Sequence, residues 1–256
     1  MSTRGLIGVI VDDTIKTSYN HFDSYPSGLG VDIVNQIADM LKRWGIDMMR
    51  EQARKVVLVT EDTKPTSKQI KTLKPFADLG VGNQSENDWY CLLRDLQGNI
   101  VDTLVVGYMI DSNDFAKDSL FCEWAYIINL DNSTLEVYNG LQTAPHKKGR
   151  FAAKKYARKP KPTYEGENIY YPIALIAVFP LNDIPTDFVD ICEFNSQSLW
   201  AKEDGTEFDD VNMAINSLKV GESCIAYYVY KDEKTPSIKA TRINKDKIKI
   251  ENIEED

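Results

Sequence analysis

Short β-rich runs that come in adjacent pairs constrain the fold of this chain more than any other feature. Leu6–Val11 (LIGVIV) is followed across Asp12-Asp13-Thr14 by Ile15–Tyr19 (IKTSY). Trp124–Leu130 (WAYIINL) and Leu135–Tyr138 (LEVY) flank the turn cluster DNST. Ser237–Ile243 and Lys247–Ile253 flank Asn244–Asp246 in the same way. Two strands joined by a tight turn must pair antiparallel, so the sheets are expected to be largely antiparallel and the class α+β. Two further runs, Ile169–Phe179 and Cys224–Tyr230, read as strands, the first as a buried one, and Lys55–Thr60 (KVVLVT) reads as another.

Helical periodicity is confined to a few segments. Pro26, Gly28 and Gly30 break the chain, and a helix is predicted from Val31. Its apolar stripe is Val34, Ile37, Ala38, Leu41 and Trp44, and Gly45 is placed to end it. A short helix is expected from Ser67 to Lys74, stopped by Pro75. Ser85–Asp88 (SEND) resembles a capping box with Asp in place of Glu, and Trp89, Leu92, Leu93 and Leu96 line one face behind it. A last helix is expected over Asp210–Leu218.

The chain has 256 residues, 43% of them hydrophobic, and no Gly/Ser-rich linker. One domain spanning 1–256 is therefore expected. A net charge of −9 argues against general nucleic-acid binding. No apolar run reaches membrane-spanning length, and the N-terminus lacks the charged and apolar regions of a signal peptide. The expected location is cytoplasmic. Cys91, Cys122, Cys192 and Cys224 lie far apart, each in an apolar stretch, and are expected to be buried free thiols. With no CxxC spacing and only His21 and His146, no metal site is expected.

Several chemistries lack their motifs. There is no GxxxxGK[ST], no HExxH, no GxSxG and no EF-hand loop, and GLG at Gly28–Gly30 lacks the third glycine of a dinucleotide fingerprint. One catalytic design needs little histidine: a Ser, Thr or Cys exposed as the first residue uses its own α-amine as base. That amine has an ordinary pKa of about 7.7–8.0 and is tethered to the nucleophile. Ser2 directly follows Met1 and directly precedes a strand, which makes it a candidate once Met1 is removed.

The string Ser2-Thr3-Arg4-Gly5-Leu6-Ile7-Gly8, then a turn and Tyr19–Pro26 (YNHFDSYP), resembles the opening of N-terminal-nucleophile (Ntn) hydrolases, in particular the branch of bile-salt hydrolases and penicillin-acylase-like enzymes. Chains of that branch begin Cys-Thr after Met, and their second strand carries an Asn-x-x-Asp stretch whose Asp contacts the nucleophile's amine. Here Ser2 stands in place of the Cys, and Asn20-His21-Phe22-Asp23 matches the second stretch, with Tyr19 where an Arg usually precedes the Asn. The longer string YNHFDSYPSGLG, with WAYIINL, LEVYNG and PHKKGRF, is similar to a group of uncharacterised tailed-phage proteins over residues 1–155.

The resemblance implies an Ntn-like αββα sandwich, two mainly antiparallel sheets between helix layers. It implies hydrolysis of a linear amide by acyl transfer to Ser2, with Asp23 orienting the amine. Asn20 and Arg4 become candidates for oxyanion or substrate contacts, and His21 and Tyr25 for substrate binding. No cofactor is required, and the partner is a small amide-containing substrate. A homo-oligomer is compatible with this reading.

One segment supports a different expectation. His146–Pro162 holds eight Lys or Arg and no acid, leaving the rest of the chain at −17, with 22 basic against 39 acidic groups. It reads as an exposed basic loop, solvated or anion-binding through Lys147, Lys148 and Arg150. The alternative function is therefore a non-catalytic phage accessory protein of the same fold that binds a protein partner or an anionic ligand.

Overall fold

The computed structural model describes residues 3–142, 145–146, 148–152, 162–163, 166–196, 199–208, 211–230 and 233–253. The protein is mixed α+β and divides into two compact units, Met1–Val189 and Asp190–Asp256.

The first unit opens with β1 (Gly5–Val11) and β2 (Thr14–Asn20), continues through α1 (Val31–Arg43), α2 (Gly45–Lys55), β3 (Val57–Val59), α3 (Ser67–Leu73), α4 (Trp89–Leu92) and α5 (Ile100–Val106), and then reaches β4 (Tyr108–Ile110), β5 (Trp124–Asn129) and β6 (Thr134–Asn139). The two-stranded β7 (Pro162–Thr163) and β8 (Gly166–Ile169) and then β9 (Ala174–Pro180) complete its strands. Its main sheet has the order β2-β1-β5-β6-β9. The two hairpins expected from the sequence are present: β1 pairs antiparallel with β2, Gly5 opposite Asn20 and Val11 opposite Thr14, and β5 pairs antiparallel with β6. Between them β1 and β5 run parallel, so the sheet is mixed, and β3 and β4 form a second parallel pair.

Every residue of β1 and of β5 is buried, which is why both read as unbroken apolar runs rather than alternating ones. One core cluster holds Leu6, Ile10, Ala125, Ile127, Tyr138 and Phe151. β2 is an edge strand, and its sequence TIKTSYN is accordingly polar. The expected buried strand over Ile169–Phe179 is corrected: β9 begins at Ala174, sits at the other edge of the sheet, and leaves Val178 exposed.

The helix starting at Val31 is present, but its buried stripe is Ile33, Ile37 and Met40, and Ala38 is exposed. Ile37 is common to both stripes, while Val34 and Leu41 are only partly buried. Gly45, at φ +71°, ends α1 and at once starts α2, a helix the polar sequence GIDMMREQARK did not announce. α3 carries a capping box, Thr66 with Gln69, and Asp88 caps α4 through the N–H of Tyr90. Trp89, Leu92, Leu93 and Leu96 are buried together with Val59 and Leu73 as a separate small core.

The division between the units falls within α6 (Phe188–Asn195). The second unit is a five-stranded sheet in the order β11-β10-β12-β13-β14, wholly antiparallel, from β10 (Leu199–Lys202), β11 (Glu207–Phe208), β12 (Ser223–Tyr230), β13 (Glu233–Arg242) and β14 (Ile248–Asn252). α7 (Val211–Ser217) lies where a helix was expected, and Trp200, Ala214, Leu218, Cys224 and Ala240 share its core. The final hairpin is the one read from the sequence. No helix among the described residues is long and apolar enough to cross a membrane.

Candidate functional site

The turn that leaves β2 folds back on the first described residues. The N–H of Ser24 donates to the carbonyl oxygen of Thr3 at 3.2 Å. Asn20 Nδ2 donates to Phe22 O at 2.5 Å and to Ser24 Oγ at 2.9 Å, Tyr126 Oη donates to Ser24 O at 3.0 Å, and Leu29 N–H donates to Asp23 O at 2.9 Å. Five hydrogen bonds thus fix a five-residue turn, with Asn20 and Ser24 both buried. Asp23 takes a left-handed conformation, φ +48°, which Asp tolerates better than most residues because of its short polar side chain.

Two glycines make room for this closure. A Cβ on Gly5 would stand 2.4 Å from Trp124 O and 2.8 Å from Ser24 Cβ, and a Cβ on Gly28 would stand 2.5 Å from Asp23 O. The Pro26–Gly30 stretch is therefore a wide helical turn that packs against Asp23 and hands the chain to α1.

Asn20 and Asp23 line an open groove of about 1050 Å³, with Phe22, Gly28 and Leu29 from the same segment. Its other wall comes from α1 and from residues 94–102. Gln36 ties α1 to the second of these segments: its Nε2 donates to Gly98 O at 3.0 Å and its Oε1 accepts from Ile100 N–H at 2.8 Å. Asp23 is exposed, and its carboxylate makes no hydrogen bond or ion pair among the described residues. Asn20 is only 5% exposed; with both donations used inside the turn, its Oδ1 is the free end, on the side of Gly98. That orientation offers an acceptor to the groove, whereas an oxyanion contact would need the Nδ2 donor.

The remaining sequence candidates are not gathered into this groove. Arg4 is half-buried; its guanidinium lies 5.3 Å from the Phe121 ring centre, its N–H donates to Glu123 Oε1, and its carbonyl accepts from Glu123 N–H. Its charge is nonetheless felt by Tyr19 and His21. His21 Nδ1 is 2.7 Å from Tyr19 Oη, and its ring packs edge-on against Phe22 at 4.4 Å. Burial, then Arg94, then Arg4 lower the His21 pKa below the usual histidine value, so the ring is neutral at pH 7. Tyr25 is exposed and contributes its backbone carbonyl, which accepts from Gly28 and Gly30. Ser2 and Lys147, with most of the basic segment, lie outside the described residues. Lys148 is exposed, but Arg150 is engaged within the fold: its Nε and Nη2 donate to the nearly buried Glu136 at 2.8 and 2.6 Å.

Sequence reasoning missed Ser24, Tyr126 and Arg94. Ser24 carried a signal, as a small polar residue next to Asp23. Tyr126 did not, since it sits in a buried strand 102 residues away. Arg94 stacks on Phe22 at 5.0 Å and on Tyr90 at 5.6 Å and donates to Gln97 Oε1. The four cysteines are free and buried as expected. Burial pushes Cys192 up to about 12 and Cys224 up to about 11, and Cys122 well above its ordinary value, which leaves these three thiols poor nucleophiles.

No family model matches the chain, and no match to it was found among curated proteins or solved structures.

Proposed function

We propose that this protein is an amidohydrolase of the Ntn type that cleaves a linear amide by acyl transfer to Ser2, with Met1 removed. The observation that carries this reading is the closure of the Asn20–Ser24 turn on Thr3. Position 2 is one peptide link from Thr3, about 3.8 Å from Cα to Cα. The same turn lends Asn20 and Asp23 to a groove large enough for a small amide. The mixed α+β class, with a mainly antiparallel five-stranded sheet in each of the two units, is compatible with this reading.

In this reading Ser2 Oγ attacks the amide carbonyl carbon and its proton passes to the α-amine. The carbon–nitrogen bond breaks as that proton moves to the leaving amine, giving an ester on Ser2. Water, deprotonated by the same amine, hydrolyses the ester and restores the hydroxyl. Asp23 orients the amine; a carboxylate beside an amine also raises its pKa, so its contribution is geometric rather than basic. Asn20 Oδ1 accepts an N–H of the substrate, which refines the contact expected of it. Arg4 stands beside the turn, and its charge favours the neutral form of His21 within it.

The test is turnover of an activated linear amide by protein that begins at Ser2. Ser2→Ala abolishes it, and Ser2→Cys raises it, because a thiol is the better nucleophile at neutral pH. Equal turnover by the wild type and Ser2→Ala would dismiss the proposal.

A further inference from the structure

We infer that the first unit holds a second binding site, for a neutral polyhydroxylated ligand of single-ring size, that is, a monosaccharide. It does not depend on the acyl-transfer reading. The site is a cavity of about 270 Å³ that shares only Gln97 with the groove. It lies at the carboxyl ends of the parallel strands β3 and β4, the end at which parallel sheets present their binding loops. The loop after β3 contributes Thr60 and Glu61, and the loop after β4 contributes Asp111 and Ser112. Hydrogen bonds fix this rim. Asp111 N–H donates to Val59 O at 2.8 Å, Ser112 N–H to Thr17 O at 3.1 Å, and Tyr19 N–H to Ser112 Oγ at 3.1 Å, so β2, β3 and β4 are tied together.

The walls carry donors and acceptors that the fold leaves unused. The side chains of Ser18, Thr60 and Glu61 make no hydrogen bond or ion pair among the described residues. Asp111 accepts from Asn113 N–H through Oδ1 and keeps Oδ2 unengaged. Arg94 does not line the cavity but donates to Gln97 Oε1 at 2.5 Å and to Tyr90 Oη at 3.4 Å. Both bonds occupy acceptors, so the Nε2 donors of Gln97 and the hydroxyl proton of Tyr90 remain for a ligand. Leu93, Ile110 and the Tyr90 ring give the cavity an apolar side.

This combination selects by elimination. An anion would face Glu61 and Asp111. An ammonium would suit those carboxylates but has no acceptor for the Gln97 and Tyr90 donors. A sugar hydroxyl both donates and accepts, and neighbouring hydroxyls repeat this at short spacing. The C–H groups of the sugar ring match the apolar side. The volume falls below the roughly 300–1,000 Å³ of sites for drug-sized ligands, which limits the ligand to one ring.

The experiment is an amide-resolved NMR titration of the full chain with methyl glucoside, methyl galactoside and ribose. The controls are cyclohexanol, with one hydroxyl, cyclohexylamine as the cation and glucuronate as the anion. At least one sugar is expected to shift the amides of Thr60, Glu61 and Asp111 and to bind about tenfold tighter than every control. Added salt should leave that affinity unchanged, since the ligand is neutral. Glu61→Gln and Asp111→Asn keep shape at exposed positions, and each should weaken the sugar about fivefold by removing a charged acceptor. The inference is overturned if no sugar binds, if the shifts fall on groove residues instead, or if both variants bind the sugar as the wild type does. It is equally overturned if cyclohexanol or glucuronate binds as tightly as the sugars, or if cyclohexylamine binds best and salt weakens it, which would mark a cation site.

Discussion

The N–H of Ser24 meets the carbonyl oxygen of Thr3 at 3.2 Å, and the Ser24 side chain packs against Gly5. Because β1 and β2 are held in register up to Gly5 and Asn20, this contact turns a simple hairpin into a closed end of the sheet. Gly5→Ala tests the closure. Its Cβ would meet the backbone of β5 and the side chain of Ser24, neither of which is a flexible end. The expected loss is about 1–3 kcal/mol, the usual range for overpacking, read from urea unfolding of the variant against wild type.

Asn20→Asp separates the amide's donor role from its shape. The replacement keeps the volume but sets a carboxylate oxygen against Phe22 O, where Nδ2 now donates at 2.5 Å. Destabilisation of about 1–3 kcal/mol is expected at neutral pH, less at a pH where the new carboxyl is protonated and donates again. A pH series of unfolding midpoints for this variant checks the sign.

The paired strands were legible in the sequence because period-two patterning and turn residues are local. Asp12-Asp13, both at positive φ, and Ser133 in DNST have the conformations their turns demand. The parallel junction of β1 with β5 was not legible, since Gly5 and Trp124 are adjacent only through a long crossover. The stripe of α1 was read correctly at Ile37 but not at Ala38, which is exposed, while Ile33 and Met40 complete the buried face. Of the site, Asn20 and Asp23 were visible through their spacing. Gly98 and Tyr126 were not, because what they contribute is a contact made across the fold. Arg150 was read as a surface charge; its partner, Glu136, lies in a strand whose other residues are mostly apolar.

That pair makes its own prediction. Burial pushes the Glu136 carboxyl up, but hydrogen bonds from Arg150, Tyr138 and Asn129 outweigh it and hold the group below the usual glutamate value. A lowered folded pKa gives stability that is present above the unfolded value of about 4.3 and is lost as pH falls through the folded one. Glu136→Gln should cost about 2 kcal/mol, less than a fully buried pair because a quarter of the Arg150 side chain is exposed. Glu136→Gln/Arg150→Met should recover part of it, and a double-mutant cycle by chemical unfolding measures the coupling.

His21 offers a pH readout near the turn. Its lowered pKa means that the folded state disfavours the imidazolium. Its contribution to stability is therefore complete above about pH 6.5 and declines as pH falls towards the folded value. Arg94→Met removes a neighbouring positive charge and should raise the His21 pKa back towards 6.5, followed by its ring proton shifts in an NMR titration. An unchanged titration would mean that Arg94 does not act on the ring.

The most direct measurement of the central claim is the site of covalent labelling by an acylating probe. Protein from its natural host is treated with an activated acyl ester and its N-terminal peptide is mapped by mass spectrometry. The account predicts a chain that begins at Ser2, with one acyl group on the Ser2 hydroxyl, and predicts no such adduct in Asp23→Ala, where the amine loses its orienting carboxylate. A chain that retains Met1, or an adduct found elsewhere while Ser2 stays unmodified, would contradict it.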